Sequence, residues 1–421
     1  MISIIISHKN RINQLKRCIN FLANQKTKNK YEIIIVDGGS RKKDIEILKE
    51  YEQNKIIKIY YLNDSTFNVS KYRNYGVKKS NGSIITFLDV DILVPEQFVE
   101  NIGKKYMNKS KTVIIHTAYG FRIDYQSPLA KDFDAITHKN IDNYVKKMSF
   151  SDFRDSAMEY YNENFADCPA PWVYGWSGVI SMQKELFIDS GGFDEKFEGW
   201  GSEDTDLAYR LWINGGKFVH EKEAYGIHVA HKSNKIKKEN QNYLNRKFIY
   251  SKYKTFETEL YTCLTGVSIN NFLNFCKFIH LGALNPIYSI EQITIINEII
   301  ENKKSLCVGL DSYQELKRLH FKDYLVLNEN AENVIKKANE DVNCIKRLGV
   351  MTDYNDKYFD VCIIFDAYNY LSLELYNCVI KEMKRISKKV YQISTKNFEP
   401  ITFNKMENSG NKDRNIIPLI L

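Results

Sequence analysis

Paired cysteines, prolines and long apolar runs are all scarce in this chain of 421 residues. Its eight cysteines are scattered, with no Cys-x-x-Cys pair and no Cys/His zinc spacing. Several of them lie inside apolar, strand-like runs, a pattern typical of buried free thiols in a reducing compartment. The sequence therefore argues against a disulfide scaffold and a zinc finger, and it predicts a cytoplasmic protein.

No apolar run has the length and uniformity of a membrane span. The N-terminal run MISIIIS is too short for a signal peptide and has the wrong flanks. The longest later candidate, residues 267–290, is interrupted by Asn, Lys and His. We therefore predict that the chain has no transmembrane segment.

Neither sign of charge is in strong excess. The 60 Lys and Arg residues against 52 Asp and Glu give a formal net charge of +8. This value is well short of a nucleic-acid-binding footprint, so no nucleic-acid partner is predicted. Residues 232–254 carry eight basic side chains and one acidic side chain. This run predicts either a solvated helix or a loop that contacts phosphates, and any peripheral contact with the inner face of a membrane is expected here.

Strand and helix patterns alternate over the first 115 residues. Apolar runs such as ISIIIS, YEIIIVDGG and GSIITFLDVDILV are separated by helical stretches, which predicts parallel βαβ units in an α/β fold. A helical stretch and a second α/β pattern follow. We predict a first domain at 1–250, a helical connector at 251–302 and a smaller Rossmann-like domain at 303–421.

The stretch FLDVD carries two acidic residues at the end of an apolar strand. Asp89 and Asp91 are separated by one position, and ligands of parallel sheets bind at the carboxyl ends of strands. Neighbouring carboxylates repel each other unless a cation lies between them, and Mg²⁺ or Mn²⁺ commonly joins carboxylates to substrate phosphates. The stretch predicts a divalent-metal site, with a capped strand-end turn as the alternative.

A second acidic pair, Glu203 and Asp204, lies in FEGWGSEDTDLAYRLW, where two glycines and a Trp precede a helical pattern. Acidic residues at this place complement the positive end of a helix, so the pair could serve as a cap. The alternative is a general base beside an aromatic sugar-binding platform. Both roles can coexist in one turn.

Five motifs in a fixed order carry a resemblance to a known family. IISHKNR, IIIVDGGS, KYRNYG and FLDVD are similar to motifs of family 2 glycosyltransferases of the GT-A fold. The downstream stretch YGWSGVISMQKELFIDSGGFDEKFEGWGSEDTDLAYRL resembles the acceptor half of β-1,4-galactosyltransferases and bacterial chondroitin-type polymerases. The chain departs from that pattern at Ser202, where the family has a second glycine.

The resemblance, which covers residues 1 to about 250, implies a site for a UDP-linked sugar donor. Asp37 would accept hydrogen bonds from the uracil edge, and Arg73 would reach the diphosphate with its planar fork. Asp89 would contact the ribose or the metal. The full implied donor set is Ser7, His8, Asp37, Arg73 and Asp89.

The resemblance also implies a cofactor, Mn²⁺ or Mg²⁺. Asp91 would bind the ion directly, together with Asp89 and with a histidine from YGIHVAHKSN. We favour His231 and keep His228 as the second choice. The ion would neutralise the charge that develops on the leaving nucleoside diphosphate.

On the acceptor side, the resemblance implies that Asp204 is the general base of an inverting transfer and that Glu203 orients the acceptor. Trp200, and next Trp176, would offer apolar faces to the sugar. Gly201, like Gly199, would let the backbone come close to the substrate.

Residues 303–421 loosely resemble a class I methyltransferase core. The turn after the first strand reads VGLDSYQEL and contains one glycine, whereas close approach to a methyl donor needs a glycine-rich turn. We therefore expect a degenerate module, with an active methyltransferase as the alternative.

The main hypothesis is a metal-dependent inverting glycosyltransferase that moves a hexose or N-acetylhexosamine from a UDP-sugar to a glycan acceptor, free or lipid-linked. Its setting would be the synthesis of capsule or lipooligosaccharide, at the inner face of the membrane. One alternative is a non-catalytic protein that binds sugar nucleotides or glycans. The other is a bifunctional glycosyltransferase–methyltransferase.

Overall fold

The protein was analysed as a computed structural model. The structure describes residues 1–106, 110–121, 123–148, 151–152, 154–162, 165–232, 234–264, 266–278, 287–310, 315, 318–327, 329–338, 341–393 and 398–400. They form two compact units, Met1–Asn245 and Arg246–Leu421. The finer division at 250 and 302 stays a prediction.

The first unit is built around a mixed sheet of eight strands in the order β3-β2-β1-β4-β7-β6-β8-β5. The strands β1 to β4 are parallel to one another, whereas β7 pairs antiparallel with both β4 and β6. The strands are β1 (Ile2–His8), β2 (Tyr31–Asp37), β3 (Ile57–Tyr61), β4 (Ile84–Leu88), β5 (Ile92–Leu93), β6 (Thr112–Tyr119), β7 (Val179–Gln183) and β8 (Lys217–His228).

Helices pack on this sheet because its central strands are apolar on both faces. Every residue of β1 is buried, as expected for a parallel strand covered on two sides. Leu15 and Leu22 of the first helix and Phe98 and Ile102 of the fourth belong to the same core. The helices are α1 (Ile12–Ala23), α2 (Lys42–Lys49), α3 (Val69–Lys79), α4 (Phe98–Tyr106), α5 (Pro128–Asp132), α6 (Ile141–Met148), α7 (Asp155–Tyr160), α8 (Lys184–Asp189) and α9 (Glu203–Ile213).

Strand pairing brings the predicted site residues to one edge of the sheet. His8 at the end of β1 lies in register with Asp37 at the end of β2. The short strand β5 pairs antiparallel with the end of β8, so that Ile92 lies opposite His228. Because Asp91 directly precedes Ile92, this pairing carries the histidine segment to the aspartates.

The basic run forms a helix, which decides between the two local structures that its sequence allowed. The division between the two units, after Asn245, falls within the helix α10 (Lys235–Tyr253). None of the described helices combines the length and apolar character that a membrane span requires.

The second unit contains a six-stranded sheet in the order β11-β10-β9-β12-β13-β14. All pairs are parallel except the last, β13 with β14. The expected fold class, α/β with a second smaller sheet domain, is confirmed. The elements are α11 (Phe256–Tyr261), α12 (Gly266–Phe278), α13 (Ile290–Ile300), β9 (Ser305–Val308), β10 (Asp323–Val326), α14 (Glu329–Ala338), β11 (Asn343–Lys346), β12 (Phe359–Ile364), α15 (Leu373–Ile386), β13 (Ser387–Ile393) and β14 (Phe398–Pro400).

Candidate functional site

Three potential metal ligands meet beyond the end of β4. The ligand atoms of Asp91, His228 and His231 all lie within 4.8 Å of one another. Nδ1 of His231 is 3.1 Å, and Nε2 of His228 is 3.7 Å, from Oδ2 of Asp91. One carboxylate and two imidazoles form a ligand set that suits a divalent transition-metal ion. Both candidate histidines therefore belong to the cluster.

The electrostatics of this cluster favour a cation. Asp91 is 4% exposed, and the guanidinium of Arg11 lies 2.8 Å from its Oδ2. Burial opposes ionisation of Asp91, but contact with His231 and the charges of His228 and Arg11 hold the pKa of its carboxyl group below the usual range. Burial lowers the pKa of His228, although Asp91 opposes that effect. The carboxyl group of Asp91 is therefore held in its ionised form, which metal binding requires.

The turn after β2 is closed by its own hydrogen bonds. Asp37 is fully buried; its Oδ2 accepts from Nδ1 of His8 at 2.8 Å and from the hydroxyl of Ser40 at 2.5 Å. Its Oδ1 accepts from two backbone N–H groups of the turn, at 2.9 and 3.0 Å. Nε2 of His8 accepts from the backbone N–H of Arg11 at 3.1 Å, and Ser7 is buried on the same strand end. These bonds place Arg11 beside Asp91, while the uracil contact of Asp37 stays a prediction.

Arg73 joins Asp89, at the end of β4, to Glu203 of the acidic pair. Its side chain is buried; NH2 donates to Oδ1 of Asp89 at 2.8 Å, and NH1 donates to Oε1 of Glu203 at 3.1 Å. Its guanidinium also lies 5.1 Å from the ring centroid of Phe193. The predicted donor and acceptor residues are therefore connected through a single side chain. In this structure Asp89 pairs with Arg73 and is not part of the metal-ligand cluster of Asp91.

The two acids of the pair have different surroundings. Oδ2 of Asp204 accepts from the N–H of Ser177 at 3.1 Å, and its Oδ1 accepts from the N–H of Thr205 at 2.8 Å. Burial and the charge of Asp204 raise the pKa of Glu203 to about 7, against the opposing effect of Arg73. Neighbouring carboxylates in unlike environments can take different roles in proton transfer.

The same pair also begins the helix α9. Ser202 occupies the N-cap position, and Glu203 and Asp204 lie in the first turn, where negative charge complements the helix dipole. The capping interpretation and the catalytic one are therefore compatible at this place in the fold.

Two tryptophans flank the acidic pair. Trp200 is 52% exposed and lies in a loop where Gly199, Gly201 and Ser202 have φ of 67°, 97° and 68°. Glycine adopts such angles without steric cost, whereas the serine that departs from the family pattern is strained there. Trp176 is half-buried and directly precedes Ser177, whose backbone N–H donates to Asp204.

An aromatic chain runs from Trp176 to the metal-ligand cluster. The ring of Phe121 packs edge-on against Trp176, with centroids 6.2 Å apart, and stacks on His228 with centroids 4.5 Å apart. The side chain of Arg154 lies over Trp176 at 5.2 Å. The acceptor-side aromatic and the metal ligand are therefore packed through one intervening ring.

Sequence reasoning missed Arg11, Phe121, Ser177 and Lys238. The ammonium of Lys238 lies 4.9 Å from the ring centroid of Trp200. Burial lowers the pKa of Lys238, while the charges of Asp91 and Asp89 oppose that effect. Arg11 ends the motif IISHKNR and Lys238 lies in the basic run, so a sequence signal existed for both. Phe121 has no such signal.

The comparisons with known proteins agree with this geometry. Residues 3–165 match the description Glycosyl transferase family 2, and residues 160–232 match the N-terminal domain of galactosyltransferase. The chain carries a family 2 glycosyltransferase domain. The first match contains the strand-end aspartates, and the second contains the acidic pair and both histidines. The resemblance inferred from the five motifs is thereby confirmed, while the methyltransferase likeness of the last region stays a prediction.

Curated relatives cover the same part of the chain. Validoxylamine A glucosyltransferase of Streptomyces hygroscopicus subsp. jinggangensis is 26% identical over 275 residues, which are 64% of this chain and 65% of that protein. Chondroitin synthase of Escherichia coli is 28% identical over 243 residues, 54% of this chain and 34% of the relative. The chain thus spans less than two thirds of the length of these relatives. Among solved structures, S. aureus TarS 1-349 is 14% identical with a TM-score of 0.44, covering 81% of this chain and 87% of that one.

Proposed function

We propose that the first unit catalyses the metal-dependent, inverting transfer of a hexose or N-acetylhexosamine from a UDP-sugar to a glycan acceptor. The observation that carries this proposal is the Arg73 bridge: Arg73 binds Asp89 and also Glu203, which lies 130 residues further along the chain than Arg73. Donor-side and acceptor-side carboxylates must lie this close if one sugar is to pass between two substrates.

At the donor end, Asp91, His228 and His231 would hold Mn²⁺ or Mg²⁺, and Asp89 would contact the ribose or the ion. When bound, such an ion neutralises the charge that develops on the leaving nucleoside diphosphate. Arg11 would add positive charge on the same side, because its guanidinium already contacts Asp91.

At the acceptor end, Asp204 would accept the proton of the acceptor hydroxyl as that oxygen attacks the anomeric carbon. The new C–O bond forms while the bond to the diphosphate breaks on the opposite face, so the configuration inverts. The N–H of Ser177 holds Asp204 in place. Glu203 would bind further acceptor hydroxyls, and Trp200 and Trp176 would cover the apolar face of a sugar.

The proposed setting is the assembly of a bacterial surface polysaccharide, such as capsule or lipooligosaccharide. The similarity to a chondroitin synthase and to the hyaluronan synthase of Pasteurella multocida, 29% identical over 228 residues, supports a growing glycan as the acceptor. A lipid-linked acceptor and a peripheral contact of residues 232–254 with a membrane belong to the same proposal.

Sugar-nucleotide turnover tests the proposal. UDP-sugars are first screened by thermal shift with Mn²⁺, since ligand binding raises apparent stability, and UDP release is then measured with and without a panel of glycan acceptors. We expect turnover to need Mn²⁺ and to be lost in Asp91→Ala and Asp204→Asn, while the exposed control Asp189→Asn keeps it. Unchanged turnover in both site variants would contradict the proposal, and UDP binding without any UDP release would favour the non-catalytic alternative.

A further inference from the structure

One face of α10 packs along the loop that carries Trp200. This loop directly precedes the acidic pair. The face consists of Lys238, Gln241, Asn242 and Asn245, whose spacing places them one above the other along a helix. Each of them contacts the loop 198–202, hereafter the acceptor loop. Such continuous contact between a helix and a short loop indicates that the helix sets the conformation of the loop.

Asn245 makes the strongest contacts. The residue is 5% exposed, and its Nδ2 donates to the backbone carbonyls of Gly201 at 2.7 Å and Glu198 at 3.1 Å. Gln241 in turn donates to Oδ1 of Asn245 at 3.3 Å, which fixes the orientation of the amide. A single buried side chain thus donates hydrogen bonds to two carbonyls of one irregular loop. Loss of the donor to a buried carbonyl lowers the stability of the folded protein.

Asn242 and Gln241 pack closely against the two glycines of the acceptor loop, Gly201 and Gly199. Oδ1 of Asn242 accepts from the hydroxyl of Ser202 at 2.6 Å. A Cβ atom added at Gly201 would lie 2.7 Å from Oδ1 of Asn242, and one added at Gly199 would lie 2.7 Å from Cγ of Gln241. Both glycines are therefore needed for close packing of the loop on the helix, and their positive φ angles reinforce that need.

Lys238 extends the contact to the exposed ring of the loop. Its ammonium lies 4.9 Å from the ring centroid of Trp200, a cation–π distance at which the ring is attracted to the charge. This contact restrains the ring, although about half of its surface is exposed. The helix α10 therefore contacts the backbone of the acceptor loop, the side chain of Ser202 and the ring of Trp200.

We propose that Asn245 and Asn242 are positioning residues, which hold the acceptor loop so that Trp200 and the acidic pair present one surface to the acceptor sugar. This inference rests on the proposed function, because the loop matters for catalysis only if an acceptor binds there. Neither residue touches the metal-ligand cluster. Loss of either should therefore disturb the acceptor side and leave the donor side intact.

Variants at Asn245 test this role. Asn245→Asp keeps the shape of the side chain but replaces the N–H donor with an oxygen that faces two carbonyls, so it should be more harmful than Asn245→Ala. Asn240→Ala is the matched control, because Asn240 is exposed on another face of the same helix. For Asn245→Asp we expect the acceptor KM to rise by about 10- to 100-fold, a size typical of a misplaced substrate-orienting group. The affinity for UDP with Mn²⁺ and the UDP release without acceptor should stay within about twofold of wild type.

The outcomes separate the two proposals. If wild type shows no UDP release with any UDP-sugar, the proposed function fails. If wild type is active and Asn245→Asp matches Asn240→Ala in acceptor KM, the positioning role is wrong. A parallel loss of UDP affinity, donor hydrolysis and melting temperature in Asn245→Asp would also overturn it, since that pattern indicates a general loss of structure. An acceptor-specific rise in KM, larger for Asp than for Ala, supports it.

Discussion

In the first unit, Asp89 and Asp91 beyond the end of β4 contact arginines and histidines, whereas in the second unit the buried Glu259 is enclosed by backbone N–H groups. Asp91 meets Arg11 and two histidines, and Arg73 is shared by Asp89 and Glu203. These partners are charged or titratable, and a bound cation or anion can compete with them. At Glu259 of the second unit the partners are backbone N–H groups, which carry no net charge and do not titrate.

Glu259 shows how the second unit satisfies a buried acid. The side chain is fully buried, and its two oxygens accept from four consecutive backbone N–H groups at 2.8 to 3.1 Å, those of Leu348, Gly349, Val350 and Met351. Successive N–H groups of this kind often bind phosphate or another anion. Here the anion is part of the chain, so the arrangement stabilises the unit and leaves no ligand site.

Side chains pack closely beside the carboxyl ends of β9 and β12 in the second unit. Gly309 follows β9 with φ of 73°, and a Cβ added there would lie 2.1 Å from Cδ2 of Tyr368. Asp366 accepts from the hydroxyl of Tyr288 at 2.6 Å and from Asn369 at 3.0 Å. Tyr368 therefore packs against the backbone that follows β9, near the end of the sheet where parallel strands usually bind ligands; the degenerate module stays a prediction.

The difference teaches that a parallel sheet does not by itself make a site. In the first unit Asp89, Asp91 and Glu203 have charged or titratable partners, whereas Glu259 of the second unit is held by backbone N–H groups. Activity should therefore be sensitive to carboxylates of the first unit, and stability to those of the second. The following substitutions test that division.

The largest effect is expected for Asp204→Asn. Loss of a general base lowers kcat by about 10²- to 10⁴-fold, while the affinity for UDP with Mn²⁺ should not change. Steady-state UDP release with acceptor, and calorimetry with UDP, check the two parts. Asp366→Asn in the second unit should lower the melting temperature and leave kcat unchanged. A comparable loss of kcat in this variant would contradict the division between activity in the first unit and stability in the second.

The next effect concerns stability and is expected for Glu259→Gln. The amide keeps the shape of the side chain but turns an NH₂ group toward backbone N–H donors, which should lower the free energy of unfolding by about 3 kcal/mol. Urea unfolding at pH 8 measures this change. Transfer activity under native conditions should equal that of wild type, and a selective loss of activity would show that the second unit takes part in catalysis.

The smallest expected effect is the pH dependence of the stability difference between wild type and Glu203→Gln. Burial raises the pKa of Glu203 from 4.5 to about 7, so the folded protein holds a proton that the unfolded chain has released. The stability of wild type relative to Glu203→Gln should therefore be highest below pH 4.5 and fall, by about 1 to 3 kcal/mol, as the pH rises through 7. Urea unfolding at several pH values checks the slope, with the exposed Glu198→Gln as the control. A difference that grows with pH would be contrary to this assignment.

Much of the site could be predicted from local patterns. The runs ISIIIS, YEIIIVD and IITFL have the apolar continuity of buried parallel strands, so the strand-end positions of His8, Asp37 and Asp89 followed directly from the sequence. The acidic pair was found because two glycines and a Trp precede a helical pattern. In each case one short window contains the whole signal.

The remaining features depend on contacts between distant segments. The Arg73 contact with Glu203 spans 130 residues, and the meeting of Asp91 with His228 depends on the antiparallel pairing of β5 with β8. The burial of Asp37 depends on bonds from His8 and Ser40. The face of α10 is polar and lacks an apolar stripe, so its packing on the acceptor loop has no periodic signal in the sequence.

The central claim is that the cluster of Asp91, His228 and His231 binds a divalent cation together with the donor diphosphate. Calorimetric titration of UDP in the presence and absence of Mn²⁺, on wild type and on Asp91→Asn, tests it most directly. Wild type should bind UDP more tightly with Mn²⁺, and Asp91→Asn should lose that enhancement, a change of about tenfold or more. Equal Mn²⁺ enhancement in both proteins would contradict the claim, because the ion would then bind elsewhere.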